Sequence, residues 1–214
     1  MAATPQIGLD GLATLLAGRA AAGARVVVAL AGAPGSGKSR LAEALVTQLN
    51  AHAPGMAEVL PMDGFHFDDL HLVPAGLRAR KGAPETFDVG GLVHTLRRLR
   101  ARDEAAVAVP VFDRKIEIAR AGARLIGAEV QVIVVEGNYL LFDRAPWGDL
   151  ALLFDVTVFL DVPEAVLRDR LMARWRDLGL SAAEAAAKVN GNDLPNARAV
   201  IEGSRRADYR MVNG

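Results

Sequence analysis

Apolar residues fall along this chain in two rhythms. Val26 to Ala31 and Val130 to Val135 are unbroken apolar runs, the pattern of strands buried on both faces of a parallel sheet. Val156 to Leu160 repeats it, while Glu58 to Asp63 and Ala106 to Phe112 are shorter candidates that end on the carboxylates of Asp63 and Asp113. Between these runs the spacing becomes helical: Leu41, Leu45 and Leu49, then Leu92, Leu96 and Leu99, then Leu167, Leu171 and Trp175. Ile7, Leu12, Leu15 and Leu16 predict a leading helix within about 6–22, and Pro54-Gly55 stops the helix that begins near Gly37. Two further helices are expected, an Ala-rich one over 181–189 and one opened by Asn192-Asp193 with Pro195 in its first turn. The tail 207–212 is a candidate edge strand. Strands alternating with helices predict a doubly wound parallel α/β sheet. In such a sheet ligands collect at the C-terminal strand ends, where Gly32, Asp63 and Glu136 would come together.

The first strand runs directly into Gly32-Ala33-Pro34-Gly35-Ser36-Gly37-Lys38-Ser39-Arg40, which satisfies G-x-x-x-x-G-K-[ST] at every fixed position. A backbone that wraps a triphosphate needs positive φ and no Cβ in the way, so that its N–H groups converge on phosphate oxygens. The helix that follows aims its positive end at the same anion. Lys38 is then expected at the β- and γ-phosphates and the Ser39 hydroxyl at Mg²⁺. The bland alternative, a Gly-rich turn with a surface lysine, fits poorly with a strand before it and a helix after it.

Residues 63–88 are too long and too rich in Gly, Pro, His and charge for an idle connector, so they are expected to build the substrate pocket. Asp63 serves either as the base that takes a proton from an acceptor hydroxyl or as a cap of the turn before Gly64. Glu136 is either an acid that holds Mg²⁺ through its water shell or a polar strand end. Arg170 and Arg174, four apart after a parallel strand, belong to a lid over 168–192 or to a solvated helix face. His66 is expected as a substrate hydrogen-bond donor or a pocket wall, and Arg78, Arg80 and Lys81 either pair with an anionic substrate group or stay solvated. Asn192 and Asn196 approach the adenine or the lid hinge, or Asn192 simply caps a helix.

Lys plus Arg and Asp plus Glu number 25 each, so the chain is neutral overall and nothing points to nucleic acid or a membrane surface. There is no Cys for a disulfide or thiolate site. Met1 to Gly8 lacks a basic and an apolar leader region, and no run reaches 18 apolar residues, so a cytoplasmic location is expected. No linker divides the chain, which reads as one domain over 1–214.

Met62-Asp63-Gly64-Phe65-His66, Arg80-Lys81-Gly82 with Pro84-Glu85-Thr86-Phe87-Asp88, Pro110-Val111-Phe112-Asp113 and Val135-Glu136-Gly137-Asn138-Tyr139 together resemble the uridine kinase, phosphoribulokinase and pantothenate kinase group of P-loop kinases. Within it the chain is most similar to bacterial proteins described as fructose transport system kinases, over about Val26 to Arg210. The resemblance implies an ATP- and Mg²⁺-dependent phosphotransferase acting on a small-molecule hydroxyl, with a nucleoside-kinase-like sheet and a helical lid. It puts the acidic residue at Asp63, the strand-end Glu at Glu136, the lid arginines at Arg170 and Arg174, and His66, Arg80, Phe87, Asp113 and Tyr139 around the acceptor. Phe112-Asp113 departs from the Tyr-Asp usual in uridine kinases, which argues against uridine. A sugar or sugar-like polyol ranks first as acceptor, a pantothenate- or glycerate-like acid second and a nucleoside third. A regulatory ATPase or GTPase is the competing class, but no N/T-K-x-D guanine signature is present. Edge-strand pairing near the C-terminus would be one route to a homodimer.

Overall fold

A computed structural model describes residues 3–213, so the first two residues of the Met1–Gly8 stretch and the last residue of the chain lie outside it. The apolar run forms β1 (Val26–Gly32), buried at every position. Its alternating side chains feed two cores: Val27, Ala29 and Ala31 enter one, Val26, Val28 and Leu30 the other. β1 is preceded by α1 (Leu9–Ala20) and followed by α2 (Lys38–His52) and the short strand β2 (Ala57–Pro61). The pocket segment is ordered into brief turns: a 3₁₀ turn over Met62–Phe65, α3 (Asp69–Leu72) and two further 3₁₀ turns. α4 (Val89–Ala101) leads into β3 (Ala106–Asp113) and β4 (Ile118–Gly127), and then β5 (Val132–Gly137) returns to the centre. β6 (Val156–Asp161), α5 (Glu164–Asp177), α6 (Ala182–Lys188), α7 (Leu194–Gly203) and β7 (Tyr209–Val212) complete the order.

The main sheet runs β2-β5-β1-β6-β7 and is parallel throughout. Helices cover both faces. Leu92, Leu96 and Leu99 of α4 pack on one core, and Leu45 and Leu49 of α2 on the other. Each such fully buried Leu contributes about 1.5–3 kcal/mol.

The run Ala106–Phe112 is a strand, but not of this sheet. It pairs antiparallel with β4 in a separate two-stranded hairpin, a partner the sequence reading had not marked. Pro110 offers no N–H, and the register shifts between Val109 and Val111. Gly64 lets the hairpin cross closely over the turn that carries Asp63, since an added Cβ would collide with the Pro110 carbonyl. β7 is the expected edge strand, yet its outer edge is already used: Ile7 N–H donates to Arg210 O at 3.0 Å, and Arg210 N–H to Pro5 O at 2.9 Å. Pairing through that strand is therefore blocked at Arg210. No helix among the described residues is long and apolar enough to cross a membrane.

Candidate active site

The loop leaving β1 packs against the end of β6, where a Cβ on Gly32 would lie 2.9 Å from Leu160 O. Gly35 and Gly37 take φ of 81° and 91°, the left-handed region that glycine enters freely, and α2 starts at Lys38. Lys38 is buried. Its Nζ donates to Ala33 O at 3.0 Å and lies 3.5 Å from Ser36 Oγ, and burial lowers it to about 8 against the opposing pull of Glu136 and Asp63.

Two carboxylates meet beside this loop because β5 lies between β1 and β2. Glu136 pairs in register with Leu30 on one side and Pro61 on the other, so Asp63 is brought in from the turn that follows β2. Burial, with Asp63 as the next cause, pushes Glu136 up to about 7, while Lys38 and a hydrogen bond from Ser39 act the other way. Burial alone would raise Asp63 too. Arg114, whose Nη2 donates to Asp63 Oδ2 at 2.6 Å, outweighs it together with His66, Lys38 and Arg174, and holds Asp63 below the ordinary carboxylate value. Near neutrality one carboxyl is thus drawn toward its protonated form while the other stays ionised.

His66 Nδ1 lies 2.7 Å from Asp63 O, a carbonyl that can only accept, so Nδ1 carries the proton. Burial keeps the ring neutral by lowering its pKa, against Asp63. Its Nε2 is then an acceptor, not the donor expected from the sequence. The ring sits between Phe87 and Phe112, with centroids 4.0 and 4.7 Å away.

Two adjoining clefts share Pro34, Asp63, Arg114, Asn138 and Arg174. The first, about 740 Å³, is lined by the loop from Pro34 to Arg40, by Glu136, and by Arg170 and Arg174 of α5. The second, about 710 Å³, is lined by His66, Phe87, Phe112, Lys81, Lys188 and neighbouring residues. Asp63 stands at the junction.

Three residues expected around the acceptor are not brought to either cleft. Asp113 points away, accepting from Lys115 N–H at 3.0 Å and Arg120 at 3.2 Å. Arg80 is taken by Glu85 at 2.6 Å, and its neighbour Lys81 lines the cleft instead. Tyr139 is fully buried behind the wall, its hydroxyl donating to Gly82 O at 2.8 Å. Asn192 does not cap α7; its Nδ2 donates to Lys81 O at 3.0 Å, beside the second cleft. Glu117 and Lys188, which line that cleft, and Arg114 and Asn138, which line both, carry no mark of their own in the sequence. Arg114 is the first residue of the turn after β3, which brings it to the cleft beside Phe112, while Asp113 bonds Lys115 and Arg120 instead.

A Gly-rich loop at the end of the central strand, set against a parallel sheet flanked by helices, defines a P-loop kinase. The chain belongs to the phosphoribulokinase / uridine kinase family, whose profile matches residues 27–202, and it is accordingly a phosphotransferase. It is 37% identical to the Escherichia coli K12 protein YggC over 86% of this chain and 76% of that one. It is 33% identical to the Schizosaccharomyces pombe protein named "putative uridine kinase C227.14" over 80% and 76%. Among solved structures, the "putative fructose transport system kinase" of Silicibacter sp. TM1040 superposes with a TM-score of 0.84 at 45% identity, covering 95% of this chain and 98% of that one.

Proposed function

We propose that this chain transfers the γ-phosphoryl group of Mg-ATP to a hydroxyl of a small uncharged metabolite, a sugar or sugar-like polyol. The observation that carries the acceptor class is the charge balance of the second cleft. Arg78 and Lys81 both bind Asp69, at 2.5 and 2.7 Å, Lys188 lies near Asp193, and Glu117 adds another carboxylate. With Arg114, ion-paired to Asp63, and Arg174, the cleft sets five cations against four carboxylates, so most of its charge is compensated within the protein, while these donors and acceptors suit hydroxyl groups. His66 Nε2 and the Phe87 and Phe112 rings supply an acceptor and an apolar wall.

In this reading the loop amides and Lys38 hold the phosphates. Asp63, ionised at the junction of the clefts, orients the attacking hydroxyl and takes its proton. Arg170, Arg174 and Arg114 neutralise charge on the migrating group. Ser39 and Glu136 would hold Mg²⁺: a buried carboxyl pushed to neutrality gains most from a nearby cation, and Mg²⁺ needs only one or two protein ligands beside phosphate oxygens and water. When bound, the ion neutralises phosphate oxygens. The whole chain acts as one catalytic unit, with 63–88 forming the acceptor pocket and 168–192 the lid that excludes water.

A coupled ADP-release assay against sugars, polyols, hydroxy acids, pantothenate and nucleosides, with Lys38→Ala as the blank, tests this. ADP release dependent on a neutral polyol is expected. Dependence on an acid or a nucleoside would overturn the acceptor class, and release indifferent to every acceptor would favour a regulatory ATPase. On the true acceptor, Asp63→Asn is expected to lower kcat by about 10²–10⁴, and near-normal turnover would remove Asp63 from its role.

A further inference from the structure

The crest of the phosphate loop is braced by a residue far from it in sequence. Asn213, just beyond β7, donates from Nδ2 to Ser36 O at 2.7 Å, and its own N–H donates to Asp161 O at 3.2 Å. Asp161, at the end of β6, is ion-paired through its carboxylate with Arg210 of β7. The Asn213 carboxamide also lies directly on Gly37, where an added Cβ would be 2.7 Å from Nδ2, and it lines the nucleotide cleft.

We infer that Asn213 is a positioning residue that fixes the Ser36–Gly37 peptide plane in the orientation that binds phosphate. A trans peptide directs its carbonyl and its N–H in opposite directions. By holding the Ser36 carbonyl outward, Asn213 turns the Gly37 N–H toward the concave side of the loop. Such a brace is needed because Gly37, at φ +91°, has no Cβ to resist a flip of that plane, and a flipped plane would aim a carbonyl at the anion. Ser36 is fully buried, so its carbonyl has no water to satisfy it and needs a protein donor. The brace also ties the loop to β6 and β7, the strands on the far side of β1 from the two carboxylates.

This inference rests on the loop holding a nucleotide's phosphates, and its test does not need the acceptor. Calorimetric titration of the full chain with ADP and with AMP compares a nucleotide that reaches the crest of the loop with one that lacks the β-phosphate. Asn213→Leu keeps the volume but removes the donor. It is expected to weaken ADP binding about tenfold, the worth of one good hydrogen bond, while leaving AMP within about twofold. Asn213→Gln, which keeps a carboxamide donor on a longer stem, is expected to fall between wild type and Asn213→Leu. Unchanged ADP affinity in Asn213→Leu would overturn the inference. So would equal losses for ADP and AMP, which would make Asn213 a contact to the nucleoside or a general support. Should Asn213→Leu unfold, the Asn213→Gln comparison decides on the same terms. A wild-type chain that binds no ADP would overturn the nucleotide-binding reading and this inference with it.

Discussion

Glu136 and Asp63 are neighbouring carboxylates whose ionisation is shifted in opposite directions, and each shift can be measured. Folding moves Glu136 from the ordinary 4.5 to about 7, chiefly through burial. Between these values the folded chain keeps a proton that the unfolded chain has lost, so stability falls as pH rises through the window, and the loss is complete above it. Glu136→Gln cannot ionise. Without nucleotide, its stability relative to wild type is therefore expected to increase by roughly 1–3 kcal/mol between pH 4.5 and 7.5, read from denaturant midpoints at each pH. A flat difference would mean that Glu136 ionises normally. For Asp63 the sign is reversed, because Arg114 is the strongest influence opposing burial. Arg114→Ala should raise the Asp63 pKa and move the acidic limb of the kcat/KM profile to higher pH. An unmoved limb would separate the two residues. The loop, Asp63 and Glu136 were legible in the sequence because strand ends and glycine spacing fix them. Asp113 carries the motif and Arg114 the contact because a motif marks a stretch of chain, whereas the cleft selects single positions within it.

At the scale of elements, the strands legible in advance were those buried on both faces, where an unbroken apolar run has no competing explanation. β4 escaped because most of its residues are exposed: Ala119, Ala121 and Ala123 alternate with Arg120, Gly122 and Arg124, but such small side chains bury no face, so the period of two is a weak signal. Without β4 in view, β3 reads as one more strand of the main sheet. Equally silent was the π-helical stretch Val189–Asp193 between α6 and α7, which places Gly191, Asn192 and Asp193 at the acceptor cleft. Asn192 links this stretch to Lys81 O, joining the proposed lid to the proposed acceptor segment across the cleft mouth. Removing one hydrogen bond there should loosen acceptor binding without touching the phosphate loop. Asn192→Ala is expected to raise the acceptor KM by about 3–10-fold with the ATP KM unchanged. Equal effects on both would place the link in the stability of the fold rather than in acceptor binding.

Over the whole molecule, the two clefts differ in charge although the chain as a whole is neutral. The cleft beside the loop gathers Lys38, Arg40, Arg114, Arg170 and Arg174 against Asp63, Glu136 and Asp177, an excess of cations that suits a polyphosphate. The other cleft shares Arg114, Arg174 and Asp63, and its own Arg78, Lys81 and Lys188 are offset by Asp69, Glu117 and Asp193, which leaves a smaller excess. Salt screens attraction between a charged site and a charged ligand but leaves the encounter of a neutral ligand unaffected. The two substrates should therefore respond differently to ionic strength. Between low salt and ~0.3 M, the ATP KM is expected to rise several-fold, whereas kcat/KM for the acceptor at saturating ATP should change by less than about twofold. An acceptor whose kcat/KM fell as steeply as that of ATP would carry negative charge itself. Arg78 and Lys81 are tied to Asp69, so Lys188, which forms no ion pair among the described residues, would receive it, and Lys188→Met would reduce the salt dependence along with the binding.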